Sequence, residues 1–102
     1  MCEFKTFYGD TCLEGKELLE AKIEHPIELE YYKTYTNIAE RRNTIYGVEV
    51  VKKEYIENEV MKESKEINLL TKDEALINKV IQKLKENKVT PFGLPDIISE
   101  LF

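Results

Sequence analysis

The stretch Ile27-Glu28-Leu29-Glu30-Tyr31-Tyr32-Lys33-Thr34-Tyr35-Thr36 decides how this chain folds. Ile27, Leu29, Tyr31 and Tyr35 alternate with Glu28, Glu30, Thr34 and Thr36. Successive side chains of an extended backbone point to opposite faces, so a period of two marks a strand with one buried face. Tyr31 and Tyr35 share that face, and Tyr32 points the other way.

Toward the C-terminus, Asn37 to Thr44 form a polar connection containing Glu40, Arg41, Arg42 and Asn43. Tyr46, Val48 and Val50 resume the alternation around Gly47 and Glu49. This second strand runs on through Val51 to Tyr55 and Ile56. A glycine inside a strand marks a bulge or a close backbone approach, which is the reading for Gly47. Glu57-Asn58-Glu59 makes a turn. A third strand from Val60 to Leu69 places Met61, Ile67 and Leu69 on one face and Glu66 and Asn68 on the other. Its Lys and Glu content suits an edge, where charge discourages unwanted pairing.

At Thr71 the period changes. Thr71 with Glu74 spaces as a capping box, and Asp73 stands in the first turn, where the helix dipole favours an acid. Leu76, Ile77, Val80, Ile81 and Leu84 recur three and four residues apart, an apolar helical stripe. Lys83, Lys85 and Lys88 load the end of that helix with favourable charge, and Asn87 is its stop. Val89 to Gly93 connect to a last helix. Pro95 falls in its first turn, where a missing N–H costs nothing. That helix presents Leu94, Ile97, Ile98, Leu101 and Phe102.

The N-terminal residues 1–26 admit two readings. Phe4, Phe7 and Tyr8 suggest a short extended piece, and Gly9-Asp10 a turn. Thr11 with Glu14 again spaces as a capping box for a helix ending before Pro26. Leu19, Ala21 and Ile23 also alternate, as a strand would. The expected fold is α+β, with one domain over residues 1–102. A sheet of three or four antiparallel strands occupies 27–70, and residues 1–26 are left uncertain. Two helices in 71–102 pack on one face of it.

Composition narrows the function. The chain has 102 residues, 42% of them hydrophobic, and six of its ten aromatics are Tyr. A chain of that length buries roughly 65% of the surface its unfolded form exposes, enough for one core without staples. The net charge is −5. Residues 1–26 carry 3 basic and 6 acidic groups, 27–56 carry 5 and 5, and 57–102 carry 7 and 9. No segment is basic, which disfavours nucleic acid as a partner. Two cysteines, Cys2 and Cys12, make no disulfide scaffold. No apolar run reaches the roughly 20 residues that span a bilayer. A cytoplasmic protein with free thiols is expected.

No residue set announces catalysis. His25, the one histidine, precedes Pro26 at an element boundary. Any nucleophilic dyad or triad would need it with Ser64, Ser99, Cys2 or Cys12, and nothing local supports one. A zinc site needs about four N or S ligands, more than the chain supplies in any close spacing. The four glycines are isolated, so there is no phosphate loop. Glu28 and Glu30 sit on a solvent face. No cofactor, metal or enzymatic activity is expected.

Two segments resemble a known family. One is Tyr46-Gly47-Val48-Glu49-Val50-Val51-Lys52-Lys53-Glu54. The other is Asn87-Lys88-Val89-Thr90-Pro91, followed by Leu94, Asp96, Ile97 and Leu101. Together, and over roughly the last 75 residues, the chain resembles a family of short bacterial proteins known only as a domain of unknown function. The resemblance implies the strand-then-helix layout and a bacterial cytosolic protein, and carries no functional residue.

The remaining candidates are surfaces. Tyrosine favours half-buried strands, so packing is the plain reading of Tyr31 and Tyr35. Tyrosine is also enriched where proteins meet partners and can stack on bases. Arg41, Arg42, Lys52 and Lys53 could supply a positive rim for that second role. The apolar chain end, Leu101-Phe102, can complete the core or meet a second chain. The chain therefore reads as a non-enzymatic interaction or regulatory module. Its partner would be another protein or a second copy, as in a homodimer built on Tyr31, Tyr35 or Leu101-Phe102. The alternative is a nucleic-acid regulator using the tyrosines and those four basic residues.

Overall fold

The structure, a computed structural model, describes residues 4–13, 26–38 and 43–102. Four antiparallel strands lie side by side in chain order. They are β1 (Phe4–Leu13), β2 (Ile27–Ile38), β3 (Asn43–Ile56) and β4 (Glu59–Thr71). Helices α1 (Glu74–Glu86) and α2 (Leu94–Leu101) follow. The class is α+β. At the usual strand rise, 14-residue β3 alone spans about 45 Å. It accounts for the long axis of a molecule measuring 49 × 28 × 19 Å.

The alternation read from the sequence sets the two faces of the sheet. Tyr31 pairs with Val50, Lys33 with Val48 and Tyr35 with Tyr46. Ile27, Leu29, Tyr31, Val48 and Val50 turn to the helices and meet Ile77, Val80, Ile81 and Leu84 of α1. Val89, Leu94 and Ile98 close the same core. The apolar stripe of α1 thus lies over the two central strands, with α2 sealing its flank. Burying each large apolar side chain contributes roughly 1.5–3 kcal/mol, so this layer carries most of the stability.

Gly47 has the close approach expected of it. A Cβ there would lie 2.3 Å from the Ile67 carbonyl oxygen and 2.7 Å from Thr34 Oγ1. The β3–β4 register shifts at this point, between Tyr46 and Val48. Beyond it Leu69 takes a left-handed φ of 59° and is exposed, which breaks the alternation expected to hold it beside Ile67.

The N-terminal reading is corrected in part. Phe4–Leu13 is one strand, so neither a turn at Gly9-Asp10 nor a helix begun at Thr11 forms. Gly9 pairs with Tyr31 across a shift that leaves Tyr8 as the extra residue, a bulge. Tyr8 then reaches α1, its hydroxyl donating to Gln82 Oε1 at 3.1 Å. The rest of the expected N-terminal element, residues 14–25, lies outside the described residues. A smaller correction concerns α1. Its N-cap is Asp73, whose carboxylate accepts from the Leu76 N–H at 3.1 Å, in place of the Thr71–Glu74 box. Asn87 is the C-cap, and Pro95 sits in the first turn of α2, as expected.

Candidate interaction surfaces

The tyrosines separate sharply. Tyr31 has no exposed surface, and its hydroxyl donates to the Val89 carbonyl at 2.9 Å. Burial pushes that hydroxyl far above its ordinary pKa. Tyr31 therefore leaves the interaction surface proposed for it: it fixes the α1–α2 connection to the sheet. Tyr35 remains accessible. Its ring stacks on Phe4 with centroids 5.4 Å apart, and it stands beside Tyr46 across the β2–β3 ladder.

Tyr35 and Tyr46 floor a polar cleft of about 340 Å³ at the start of α1. Asn37 and Thr44 line one side, joined at 2.8 Å, and Lys33 and Glu74 line the other. The Lys33 ammonium is committed: Glu74 holds it at 2.7 Å and Asn78 at 3.2 Å. It is neither a free base nor an open anion site. The cleft offers hydroxyls and an amide with no net charge. The Lys33–Glu74 pair is not legible in the sequence, where Glu74 reads only as a capping residue, because 41 residues separate them.

Lys52 and Lys53 do not share one rim. Lys52 and Lys53 are neighbours on a strand and so point to opposite faces. Lys52 pairs with Glu54 at 2.8 Å and approaches Glu63 at 3.9 Å. Lys53 pairs with Glu30 at 3.1 Å and Glu28 at 4.0 Å, and this bonding raises its pKa. Arg41 and Arg42 lie outside the described residues, as do His25 and Cys2. Lysine 5 is similarly engaged, bonding the buried Glu49 carboxylate at 2.8 Å over the Tyr32 ring.

The chain end contributes a true surface. Leu101 is 39% exposed and Phe102 48%. Leu101 joins Leu76 and Val80 of α1 in an apolar groove of about 190 Å³, rimmed by Lys79 and Lys83. Periodicity places Leu76 in the core stripe, but it sits at the stripe's outer margin and is exposed. Phe92, in the α1–α2 connection, is 88% exposed, the highest among the large apolar side chains described.

Among the described residues no three His, Cys, Asp or Glu side chains gather as a metal site, and no helix is long and apolar enough to cross a membrane. No curated protein and no solved structure gives a significant match to this chain. A family model does match, over residues 11–102, reaching back into β1 and well beyond the 75 residues that carry the resemblance in the sequence. The chain belongs to DUF6514, a family of unknown function.

Proposed function

We propose that this chain is a non-enzymatic protein-interaction module that receives an acidic, apolar segment of another protein. The groove of Leu76, Val80 and Leu101 carries this reading. Soluble domains seldom leave contiguous apolar surface without a use for it. On a chain of net charge −5, this groove is flanked by two ammonium groups, Lys79 and Lys83. That arrangement favours a partner with acids beside its apolar anchors. It disfavours two copies meeting here face to face, since their lysines would coincide. Nucleic acid fits less well, because Lys52 and Lys53 are each held by two carboxylates on opposite faces of the sheet.

The test is a comparison of captured partners. The intact chain and a Leu76→Glu/Leu101→Glu variant are used as baits in extract from the native host, and the variant's fold is verified by circular dichroism. A partner held by the intact chain, released by added salt and lost on the folded variant is the expected result. Identical partner sets on both baits would remove the groove from consideration.

A further inference from the structure

We propose that two copies of this chain join through β4, antiparallel about a twofold axis at Ser64, and so extend two four-stranded sheets into one of eight. This goes beyond the groove reading: it uses a different surface, and neither claim depends on the other.

The edge itself comes first. Among the described residues β4 has β3 as its single neighbour in the sheet, and Glu59 through Glu66 are exposed throughout. A strand in this position presents a row of backbone groups ready to pair. Its side chains decide with what. An antiparallel edge pair related by a twofold axis normal to the sheet sets residues of the same face opposite one another. Faces alternate, so each opposed pair must have numbers with an even sum. Centred on Ser64, Glu63 meets the second copy's Lys65, and Lys62 meets its Glu66. Met61 meets Ile67. The twofold axis repeats each pair, giving four ion pairs and two apolar contacts along seven residues.

Neighbouring registers fail. Centred on Glu63, that carboxylate meets its own copy and Met61 meets Lys65. Centred on Lys65, two ammonium groups meet and Glu63 faces Ile67. Slipping by one residue would put each copy's apolar face on the wrong side. The charges that keep this edge from pairing indiscriminately thus select one register of self-pairing.

A second observation points the same way. Within the chain, Lys62 stands directly opposite Lys53, and Glu66 directly opposite Glu49. Like charges at such positions destabilise a sheet. Lys53 is already paired with Glu30, which leaves Lys62 unrelieved; Glu66 feels the Lys5 ammonium that bonds Glu49 and accepts from Asn68, yet keeps an open side toward solvent. Among the described residues neither Lys62 nor Lys65 makes an ion pair. In the twofold arrangement Lys62 gains a carboxylate and Glu66 an ammonium on its open side. The regular edge also stops where the symmetry needs it to, at Ile67, before the register shift and left-handed Leu69.

Two charge-block variants test this by sedimentation velocity. Lys62→Glu/Lys65→Glu makes the edge wholly acidic, and Glu63→Lys/Glu66→Lys makes it wholly basic. The intact chain should dimerise as concentration rises, each variant alone should dissociate at least on the order of tenfold more readily, and their equimolar mixture should restore a one-to-one dimer. Recovery in the mixture also shows that both variants are folded. An intact chain that stays monomeric overturns the inference and leaves the groove reading untouched. A dimer that persists in both variants overturns it too, by placing association elsewhere. Folded variants that fail to pair with each other would do the same.

Discussion

Tyr31 and Tyr35 look alike in the sequence, four residues apart on one strand face, yet one is core and the other borders solvent. The difference is made by α1, which no local pattern could place. Its first turns reach Lys33 through Glu74 and Asn78, so Tyr31 falls beneath helical cover and Tyr35 beside the cleft at its start. Removing the Tyr31 hydroxyl by Tyr31→Phe leaves the Val89 carbonyl without its partner, at a cost of about 1–3 kcal/mol in denaturant unfolding. The pH dependence has a definite sign. Burial raises the Tyr31 pKa in the folded chain above its ordinary value of 10.0. Above pH 10 the unfolded chain therefore sheds a proton that the folded chain keeps, and this residue's contribution to stability falls as pH rises. The variant has no such loss. The gap in stability between the two proteins should narrow above pH 10; a gap that widens there would contradict this role for the hydroxyl.

At the scale of elements, the apolar periods made β2, β3, β4 and both helices legible, because each pattern is local. What ended each element was harder to read. Thr71 and Asp73 are both good helix caps two residues apart. The choice between them is tertiary: Thr71 still pairs with Tyr46 at the end of β4, so the backbone is free to start a helix only after Asp73. Thr71 plays a lesser part, its Oγ1 accepting the Asp73 N–H at 3.1 Å. Asp73→Ala should accordingly cost about 1 kcal/mol, as loss of a capping carboxylate does, and Thr71→Ala distinctly less. Equal or reversed costs in thermal or denaturant melts would return the cap to Thr71. The misread element was β1. Gly9-Asp10 carries a turn signature, but the glycine meets a different need. A Cβ at Gly9 would meet only the flexible end of the Lys85 side chain, Nζ at 3.3 Å, so the small residue simply leaves room for that side chain over the bulge.

Across the whole molecule, charge is organised as pairs that tie strands together rather than as one field. Lys5 links β1 to β3 over the intervening β2, and Lys53 links β3 to β2. These ties were invisible in the sequence because residues 44 and 23 apart meet only once the register is known. The same register leaves β4 tied on one side alone, and this sets a gradient of protection. Opening the layer of Leu29, Tyr31, Val48 and Val50 beneath α1 amounts to global unfolding, so their amides should exchange with deuterium most slowly. Along Met61–Ile67 the amides alternate between those turned to β3 and those turned outward. In dilute protein the outward set should exchange quickly while the inward set is held by the β3 ladder. Raising the concentration should slow the outward set selectively, because the second copy's β4 supplies their acceptors, and should leave Leu101 and Phe102 unchanged. Concentration-dependent protection at Leu101 and Phe102, with none on β4, would move self-association to the chain end. No concentration dependence at either place would make the exposed strand the edge of a monomer, with Lys62 left opposite Lys53.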